Sequence, residues 1–180
     1  MVPVTVPAER LPTDPLPFEV VTTRLRLPLV TAEERVDMLA GRRRPGWHPD
    51  YPREDDRDAV SMLHAARGEA PDPWGPRHVV RAFDGLVCGS IGFFGPPDDV
   101  DGVPETEVGY GLVADARGHG VATEALRGLL AETDRLGVRV RASVLPENAA
   151  SIRVLAKCGF TGLRGANEDG AADELRRWFG

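Results

Sequence analysis

The clearest pattern along the chain is an apolar stripe at helical spacing over residues 121–136. Apolar side chains recur there every three or four residues, which is typical of a helix with one face in the core. Gly137 follows and supplies a helix stop. The segment is therefore predicted to be a long amphipathic helix. Its stripe consists of Val121, Ala122, Ala125, Leu126, Leu129, Leu130 and Leu136.

Strand patterns flank this helix. A short apolar strand is predicted over residues 106–113, and apolar and polar residues alternate over 138–144. A strand, a helix and a strand in this order predict a parallel, right-handed unit. Period-two alternation gives the first strand two distinct faces. One face carries Val108, Tyr110 and Leu112, and the other carries Glu107, Gly109 and Gly111.

The N-terminal part reads as a strand followed by a helix. Leucine and arginine alternate over residues 24–27, which predicts one half-buried strand within 19–30. Thr31 and Glu34 have capping-box spacing and predict a short helix. Residues 1–16 are rich in proline and are predicted to be an extended arm.

The middle of the chain predicts antiparallel pairing. Residues 42–52 are expected to form a loop, and 57–67 a helix. Two strands, 78–83 and 86–94, flank the dipeptide Asp84-Gly85, which favours a tight hairpin turn. The sheet is therefore expected to be mixed.

The C-terminal part continues the mixture of helix and strand. Residues 96–105 are expected to form an acidic loop. Asn148 is predicted to cap a helix that ends at Gly159. Residues 174–179 are predicted to form a closing strand. Together the patterns predict a single α/β domain over residues 17–180, a size that buries a substantial core.

Composition narrows the function classes. The 28 acidic residues outnumber the 22 basic ones and give a formal net charge of −6, which argues against nucleic-acid binding. Cys88 and Cys158 have no metal-ligand spacing and are interpreted as core residues, so neither a disulfide nor a metal site is expected. No segment resembles a secretory signal or reaches membrane-spanning length, and a cytoplasmic location without membrane binding is expected.

The candidate chemistry begins at the turn RGHGVA, residues 117–122. Two glycines allow backbone N–H groups to approach a ligand, and the helix N-terminus behind them favours an anion such as pyrophosphate. The turn lacks the pattern of the nucleotide-triphosphatase loop. A dinucleotide-binding turn is disfavoured because Thr123 stands where its third glycine belongs. A tight connection without any ligand is the remaining alternative.

A second motif lies after the next strand. The sequence NAASIRVLAKCGF spans residues 148–160. Together with Arg117, Gly120 and Ala122 of the turn, it resembles the GNAT superfamily of acyl-CoA-dependent N-acetyltransferases, closest to the branch of ribosomal-protein N-terminal acetyltransferases. The resemblance implies a mostly antiparallel mixed sheet, splayed into a V that holds coenzyme A and flanked by helices.

The resemblance also implies a set of coenzyme contacts. The turn would hold the pyrophosphate through its backbone, the end of the preceding strand would pair with pantetheine, and the start of the second motif would lie beside the pantetheine arm. The implied residues are Gly111, Leu112, Val113, Arg117, Gly118, His119, Gly120, Val121, Ala122, Thr123, Asn148 and Ser151.

Three groups are the candidates for the chemistry that the resemblance implies. Glu107 would accept the amine proton, the Leu112 N–H would polarise the thioester carbonyl, and the Ser151 hydroxyl would assist the departing thiolate. Leu155 stands where many family members carry a general-acid tyrosine. Glu107 is alternatively a solvated carboxylate, and Asn148 with Ser151 only a helix cap.

The expected reaction is transfer of an acetyl group from acetyl-CoA to a primary amine, by direct attack and without a metal. The acceptor would be a peptide N-terminus or a small amine, and the protein a monomer or homodimer. A non-catalytic acyl-CoA-binding sensor is the alternative, and a dinucleotide-dependent oxidoreductase is disfavoured.

Recognition of the acceptor is expected from irregular segments. An acidic run could attract a cationic amine, although a solvated surface is the commoner explanation. Four aromatic or imidazole side chains either line the acceptor site or anchor loops in the core, at least two of them in the core. They are Trp47, His48, Tyr51 and Trp74, and the acidic run comprises Asp98, Asp99, Asp101 and Glu105.

Overall fold

The computed structural model describes residues 16–64, 72–166 and 173–177. These residues form nine strands, four α-helices and a short 3-10 turn at Ala114–Ala116. The elements in chain order are β1 (Glu19–Val21), β2 (Leu25–Pro28), α1 (Ala32–Leu39), α2 (Glu54–His64), β3 (Pro76–Arg81), β4 (Val87–Phe93), β5 (Asp98–Val100), β6 (Val103–Leu112), α3 (Val121–Arg135), β7 (Arg139–Val144), α4 (Ala149–Lys157), β8 (Gly162–Ala166) and β9 (Asp173–Arg177).

The strands form one open sheet. Its order is β1-β2-β3-β4-β6-β7-β9-β8, with β5 paired to the start of β6. The β6–β7 pair is parallel and joined through α3, whereas the other described pairs are antiparallel. This arrangement confirms the predicted mixed, mostly antiparallel α/β fold and its parallel strand–helix–strand unit.

Strand β6 lies between β4 and β7 in the sheet, but it pairs with them along different parts of its length. It pairs with β4 through Val108–Leu112 but with β7 only through Glu105–Glu107. The remainder of β7, Ala142–Val144, pairs with β9 alone. The two parallel strands therefore separate beyond Glu107, and this separation is the V that the family resemblance implied.

Helix α3 packs its predicted stripe against the sheet. Ala125, Leu126, Leu129 and Leu130 are almost fully buried, and the helix contacts β1, β2, β6 and β7. Ala122 and Leu136, at the ends of the stripe, are only partly buried and pack against the same core. The helix thereby spans both sides of the V and holds the two halves of the sheet together.

Several predicted boundaries were wrong for local reasons. The single strand over 19–30 is two strands, β1 and β2, because a turn closed by the Thr22 N–H to Leu25 O bond (2.9 Å) reverses the chain. Helix α2 begins at Glu54 rather than residue 57, since the Asp56 carboxylate accepts the Arg53 N–H just before the helix.

The acidic segment was also assigned incorrectly. Residues 96–105 contain β5 and the start of β6, joined by a turn in which Asp99 Oδ1 accepts the Gly102 N–H at 2.8 Å. Strand β8 was not predicted at all. The arm over residues 1–15, residues 65–67 of the predicted helix and residues 178–179 of the closing strand lie outside the described residues, and the domain boundary at residue 17 stays a prediction.

A chain of polar contacts runs from the exposed start of α1 to the buried His78 of the sheet. Thr31 and Glu34 form the predicted capping box, and the Glu34 carboxylate lies 3.2 Å from His78 Nε2. His78 Nδ1 in turn lies 2.9 Å from the Tyr51 hydroxyl. The interaction with His78 is the main reason that the pKa of Glu34 is lowered to about 2. The folded protein therefore favours the ionised form of Glu34.

We expect Glu34→Gln to lower the free energy of unfolding at pH 7 by about 1–2 kcal/mol, because it removes a charge-assisted contact. A lowered pKa contributes stability above the ordinary value near 4.5, and this contribution is lost as the pH falls towards 2. The free energy of unfolding, measured with urea between pH 2 and 7, should therefore fall less for the variant than for the wild type as the pH is lowered.

Glu33→Gln is the matched control, since Glu33 lies in the same first helical turn with a side chain that is 87% exposed. Its pH profile should follow the wild type. Identical pH profiles for Glu34→Gln and the wild type would contradict the assigned role of Glu34.

Candidate functional site

A groove of about 390 Å³ occupies the open sector of the V. Its walls come from β6, from the glycine turn and the start of α3, and from α4. Of the residues implied for the coenzyme, all but Val113 and His119 line it. The exposed His119 side chain lies outside the lining. The groove thus joins the two sequence motifs in space.

The glycine turn requires its glycines. Gly118 and Gly120 have φ values of 78° and 76°, in the left-handed region that side-chain-bearing residues rarely adopt. Gly120 directly precedes α3, whose first N–H groups have no partner within the helix. The turn and the helix start can therefore donate several N–H groups to an anion in the groove.

Two arginines hold this turn in place. Arg24 Nη1 donates to the His119 carbonyl at 3.1 Å, and Arg24 Nε donates to Glu124 Oε2 at 2.6 Å. Arg117 Nε donates to the Leu112 carbonyl at 3.0 Å. The turn is thereby anchored to β2 on one side and to the end of β6 on the other.

The hydrogen-bond alternation of β6 decides which backbone groups face the groove. The Phe94 N–H donates to Glu107 O at 3.0 Å, and the Val113 N–H donates to Cys88 O at 2.8 Å. In an antiparallel pair, the intervening non-bonded residues point their N–H groups away from the partner strand. The continuous register therefore directs the Tyr110 and Leu112 N–H groups towards the open side, and those of Gly111 and Val113 towards β4.

Positive charge is concentrated along the groove although the chain is acidic overall. Arg117 lines it, as do Arg153 and Lys157 of α4. Arg153 and Lys157 escaped the sequence analysis. Their spacing of four residues in the second motif places them on one helix face and was the signal that could have identified them.

A second cavity, of about 320 Å³, lies between α2 and strands β4 and β6. It shares Arg53, Asp55, Tyr110 and Gly111 with the groove, so the two spaces meet at the end of β6. Much of the remaining wall is apolar. The large apolar side chains in that wall are Met62, Ile91, Phe93 and Phe94.

The junction is built by an arginine held on a buried carboxylate. The Asp56 carboxylate accepts the Arg53 backbone N–H at 2.8 Å, Nε at 3.0 Å and Nη2 at 2.8 Å, and it also accepts the Ser90 hydroxyl. Asp56 is completely buried. The Arg53 guanidinium lies over Gly111, where a Cβ would stand 2.7 Å from its carbon.

Comparison with known families decides the identity of the fold. The model of the acetyltransferase (GNAT) domain matches residues 24–161. This chain belongs to the GNAT acetyltransferase family. None of the curated proteins matches it significantly.

Solved acetyltransferase structures share the fold of this chain. A GnaT-family protein from Bordetella pertussis is 26% identical, with a TM-score of 0.60, 88% of this chain covered and 98% of the other. An acetyltransferase from Agrobacterium tumefaciens is 20% identical (TM-score 0.60; 93% and 97% covered). The ribosomal-protein-S5-alanine acetyltransferase from Vibrio fischeri is 17% identical (TM-score 0.60; 89% and 96%) and supports the fold alone.

The predicted base, Glu107, lies outside the lining of both cavities. Its carboxylate lies 3.1 Å from Arg141 Nη2 and accepts the Ser143 hydroxyl at 2.7 Å, both from the neighbouring strand β7. The alternation of β6 places Glu107 on the same face as Gly111, four residues before the junction.

Asn148 and Ser151 form the helix cap that the sequence suggested, and both also line the groove. Asn148 Oδ1 accepts the Ser151 N–H at 3.1 Å. The Tyr110 hydroxyl donates to the Ser151 carbonyl at 3.3 Å across the groove, and burial raises the pKa of Tyr110 to about 12. Leu155 is buried in the core.

The four aromatic and imidazole residues were predicted either to line the acceptor site or to anchor loops in the core. Trp47, His48, Tyr51 and Trp74 are all buried, and none lines either cavity. Trp47 and Tyr51 meet edge to face at 5.4 Å, and His48 Nε2 lies 3.0 Å from Asp115 Oδ2. All four anchor loops in the core.

The acidic run has one buried member, Glu105, whereas Asp98, Asp99 and Asp101 are exposed. Glu105 is buried between Arg139 and Arg176, whose Nε lies 2.9 Å from the Glu105 carboxylate. Asp99 closes the β5–β6 turn, and none of the run lines either cavity.

Both cysteines are buried free thiols, as expected for core residues, and burial raises the pKa of Cys88 to about 11. Among the described residues, there is no group of three or more His, Cys, Asp or Glu side chains that could hold a metal ion. No helix in the described ranges has both the length and the apolar character needed to cross a membrane.

Proposed function

We propose that this GNAT protein transfers an acetyl group from acetyl-CoA to a primary amine. The observation that carries the proposal is the meeting of two spaces at Gly111: a basic groove with anion-binding donors, and a mostly apolar cavity on the far side of the junction. A thioester placed at that junction is accessible from the second cavity. The groove would therefore hold the coenzyme, and the cavity the acceptor.

The groove offers suitable partners for each part of coenzyme A. Backbone N–H groups from Gly118 to Thr123 would bind the pyrophosphate, with charge from Arg117. Arg153 and Lys157 would add cations for the phosphates. The pantetheine arm would pair with the Tyr110 and Leu112 backbone groups as an added strand.

The Leu112 N–H is the proposed electrophilic group. A donor aimed at the thioester oxygen stabilises the negative charge that develops as the amine attacks. The amine nitrogen forms a bond to the carbonyl carbon, and the carbon–sulfur bond then breaks. The leaving thiolate, whose conjugate thiol has a pKa near 8.5, takes up a proton from water, either directly or through Ser151, which regains its own proton from solvent.

Glu107 is the proposed final acceptor of the amine proton. Because it lies four residues from Gly111 on the same face, transfer would pass through water. Direct attack needs the neutral amine, which is roughly a tenth of an α-amine at neutral pH but only about one part in a few thousand of a lysine. A base therefore matters most for a lysine-like acceptor.

One observation favours a second candidate, a non-catalytic acyl-CoA sensor. The Glu107 carboxylate is engaged by Arg141 and Ser143 and lines neither cavity. A sensor would retain the groove without needing a base. The two functions predict the same coenzyme binding and differ in turnover.

The direct test is a mass-shift screen of peptide N-termini, amino acids and polyamines with acetyl-CoA. We expect a gain of one acetyl group on at least one acceptor class. Gly118→Ala should weaken acetyl-CoA binding at least about fivefold, because a side chain strains the left-handed turn by roughly 1–2 kcal/mol. Calorimetry measures that binding.

Gly137→Ala is the matched control. Gly137 also has positive φ, 66°, and open space around it, but it lies at the far end of α3. It should lose comparable stability and bind acetyl-CoA normally. Tight acetyl-CoA binding without product on any acceptor would favour the sensor, and equal binding by both variants would contradict the coenzyme site.

We expect Glu107→Gln to lower kcat/KM by about 10²-fold at pH 7, with the deficit shrinking as the pH approaches the pKa of the acceptor amine. Arg141→Gln is the control, since it breaks the same ion pair but keeps the carboxylate. Rate profiles from pH 6 to 10 measure both. An equal loss in the two variants, without dependence on pH, would contradict a base role for Glu107.

A further inference from the structure

Arg53 occupies the point where the two cavities meet. Its guanidinium lies over Gly111 and lines both the groove and the second cavity. A thioester whose carbonyl oxygen meets the Leu112 N–H would place its acyl group beside Gly111. The first group that the acyl chain would meet is therefore the guanidinium of Arg53.

This guanidinium is fixed in its position. Its Nε and Nη2 donate to the two oxygens of Asp56, which also accepts the Ser90 hydroxyl. Asp56 is completely buried, so moving Arg53 away would leave a buried carboxylate without its counter-charge. The Arg53 side chain is therefore held in one position at the junction of the two cavities, whereas an exposed arginine could change its rotamer.

We propose that Arg53 limits the length of the acyl group that this protein accepts, and that the acyl donor is a short-chain thioester of coenzyme A. The inference rests on the proposed function for the place of the thioester. On this proposal, an acetyl methyl group lies beside Gly111 without displacing the guanidinium. The two further methylenes of a butyryl chain would have to push Arg53 off Asp56 or desolvate its charged face.

The second cavity explains where a longer chain would go without the Arg53 side chain. Beyond Arg53, that space is lined by Met62, Ile91 and Phe94, which can bury apolar methylenes. Removing the Arg53 side chain would widen the junction between the two spaces at Gly111. Arg53 thereby narrows the opening through which a longer acyl chain would enter the apolar cavity, while the thioester carbonyl stays accessible to an amine.

The test compares acetyl-CoA with butyryl-CoA on the wild type, Arg53→Ala and Arg53→Ala/Asp56→Asn. The double variant also removes the buried charge, so that loss of folding does not hide the result. Its melting temperature is measured beside the wild type. In both variants, we expect the ratio of kcat/KM for butyryl-CoA to kcat/KM for acetyl-CoA to be roughly tenfold or more above that of the wild type. This is the scale on which pockets discriminate methylenes.

Calorimetry provides a second measurement that needs no turnover. The Kd for butyryl-CoA relative to that for acetyl-CoA should fall by a similar factor in the double variant. Arg57→Ala, one helical turn further along α2 and outside both linings, should leave both ratios unchanged. Unchanged ratios in a folded double variant would overturn the role of Arg53.

The outcomes separate this inference from the proposed function. A wild type that binds both thioesters but acetylates no amine would overturn the enzymatic function, while the Kd ratio still decides the role of Arg53. If the wild type already binds butyryl-CoA as tightly as acetyl-CoA, the proposed role of Arg53 is contradicted and the proposed function is not.

Discussion

The site depends on one feature of strand pairing: β6 pairs with β4 and with β7 along different parts of its length. Its first half pairs with β7 through Glu105–Glu107 and its second half with β4 through Val108–Leu112. Backbone groups of Tyr110 and Leu112 are thereby left facing an open sector, where unpaired N–H groups favour an added extended ligand. The groove exists because α3 and α4 cover this sector without filling it.

The other parts of the site are positioned relative to that open edge. Arg24 and Arg117 fix the glycine turn at one end of the groove, and at the other end the Ser90–Asp56 hydrogen bond ties α2 to β4 while Asp56 holds Arg53. The Arg24–His119 and Ser90–Asp56 contacts join residues that are distant in sequence, whereas Arg117 and Arg53 contact acceptors five and three residues away. They make the ends of the groove rigid while its middle stays open to a ligand.

The sequence predicted most of the fold where local patterns were strong. The α3 stripe and the Thr31–Glu34 capping box appear as expected. The hairpin at Asp84-Gly85 is present too, but its connection is longer than predicted, since β3 ends at Arg81 and β4 begins at Val87. Strands β5 and β8 were missed because short polar strands carry little periodicity. Most groove-lining residues of the glycine turn were predicted, as were Asn148 and Ser151, but Arg153 and Lys157 of the second motif were not. Arg24 and Arg53 were also missed, because their roles come from partners distant in sequence or from the packing of α2. The buried state of Trp47 and Trp74 likewise depends on tertiary packing.

Amide hydrogen exchange, followed residue by residue by NMR, tests the open edge most directly. In the free protein, the Val113 amide, bonded to Cys88, should exchange slowly, and the Leu112 amide at least about tenfold faster. Saturating coenzyme A should slow exchange at Leu112 and leave Val113 unchanged. A Leu112 amide that is already as slow as Val113 in the free protein, or that coenzyme A does not protect, would contradict the account.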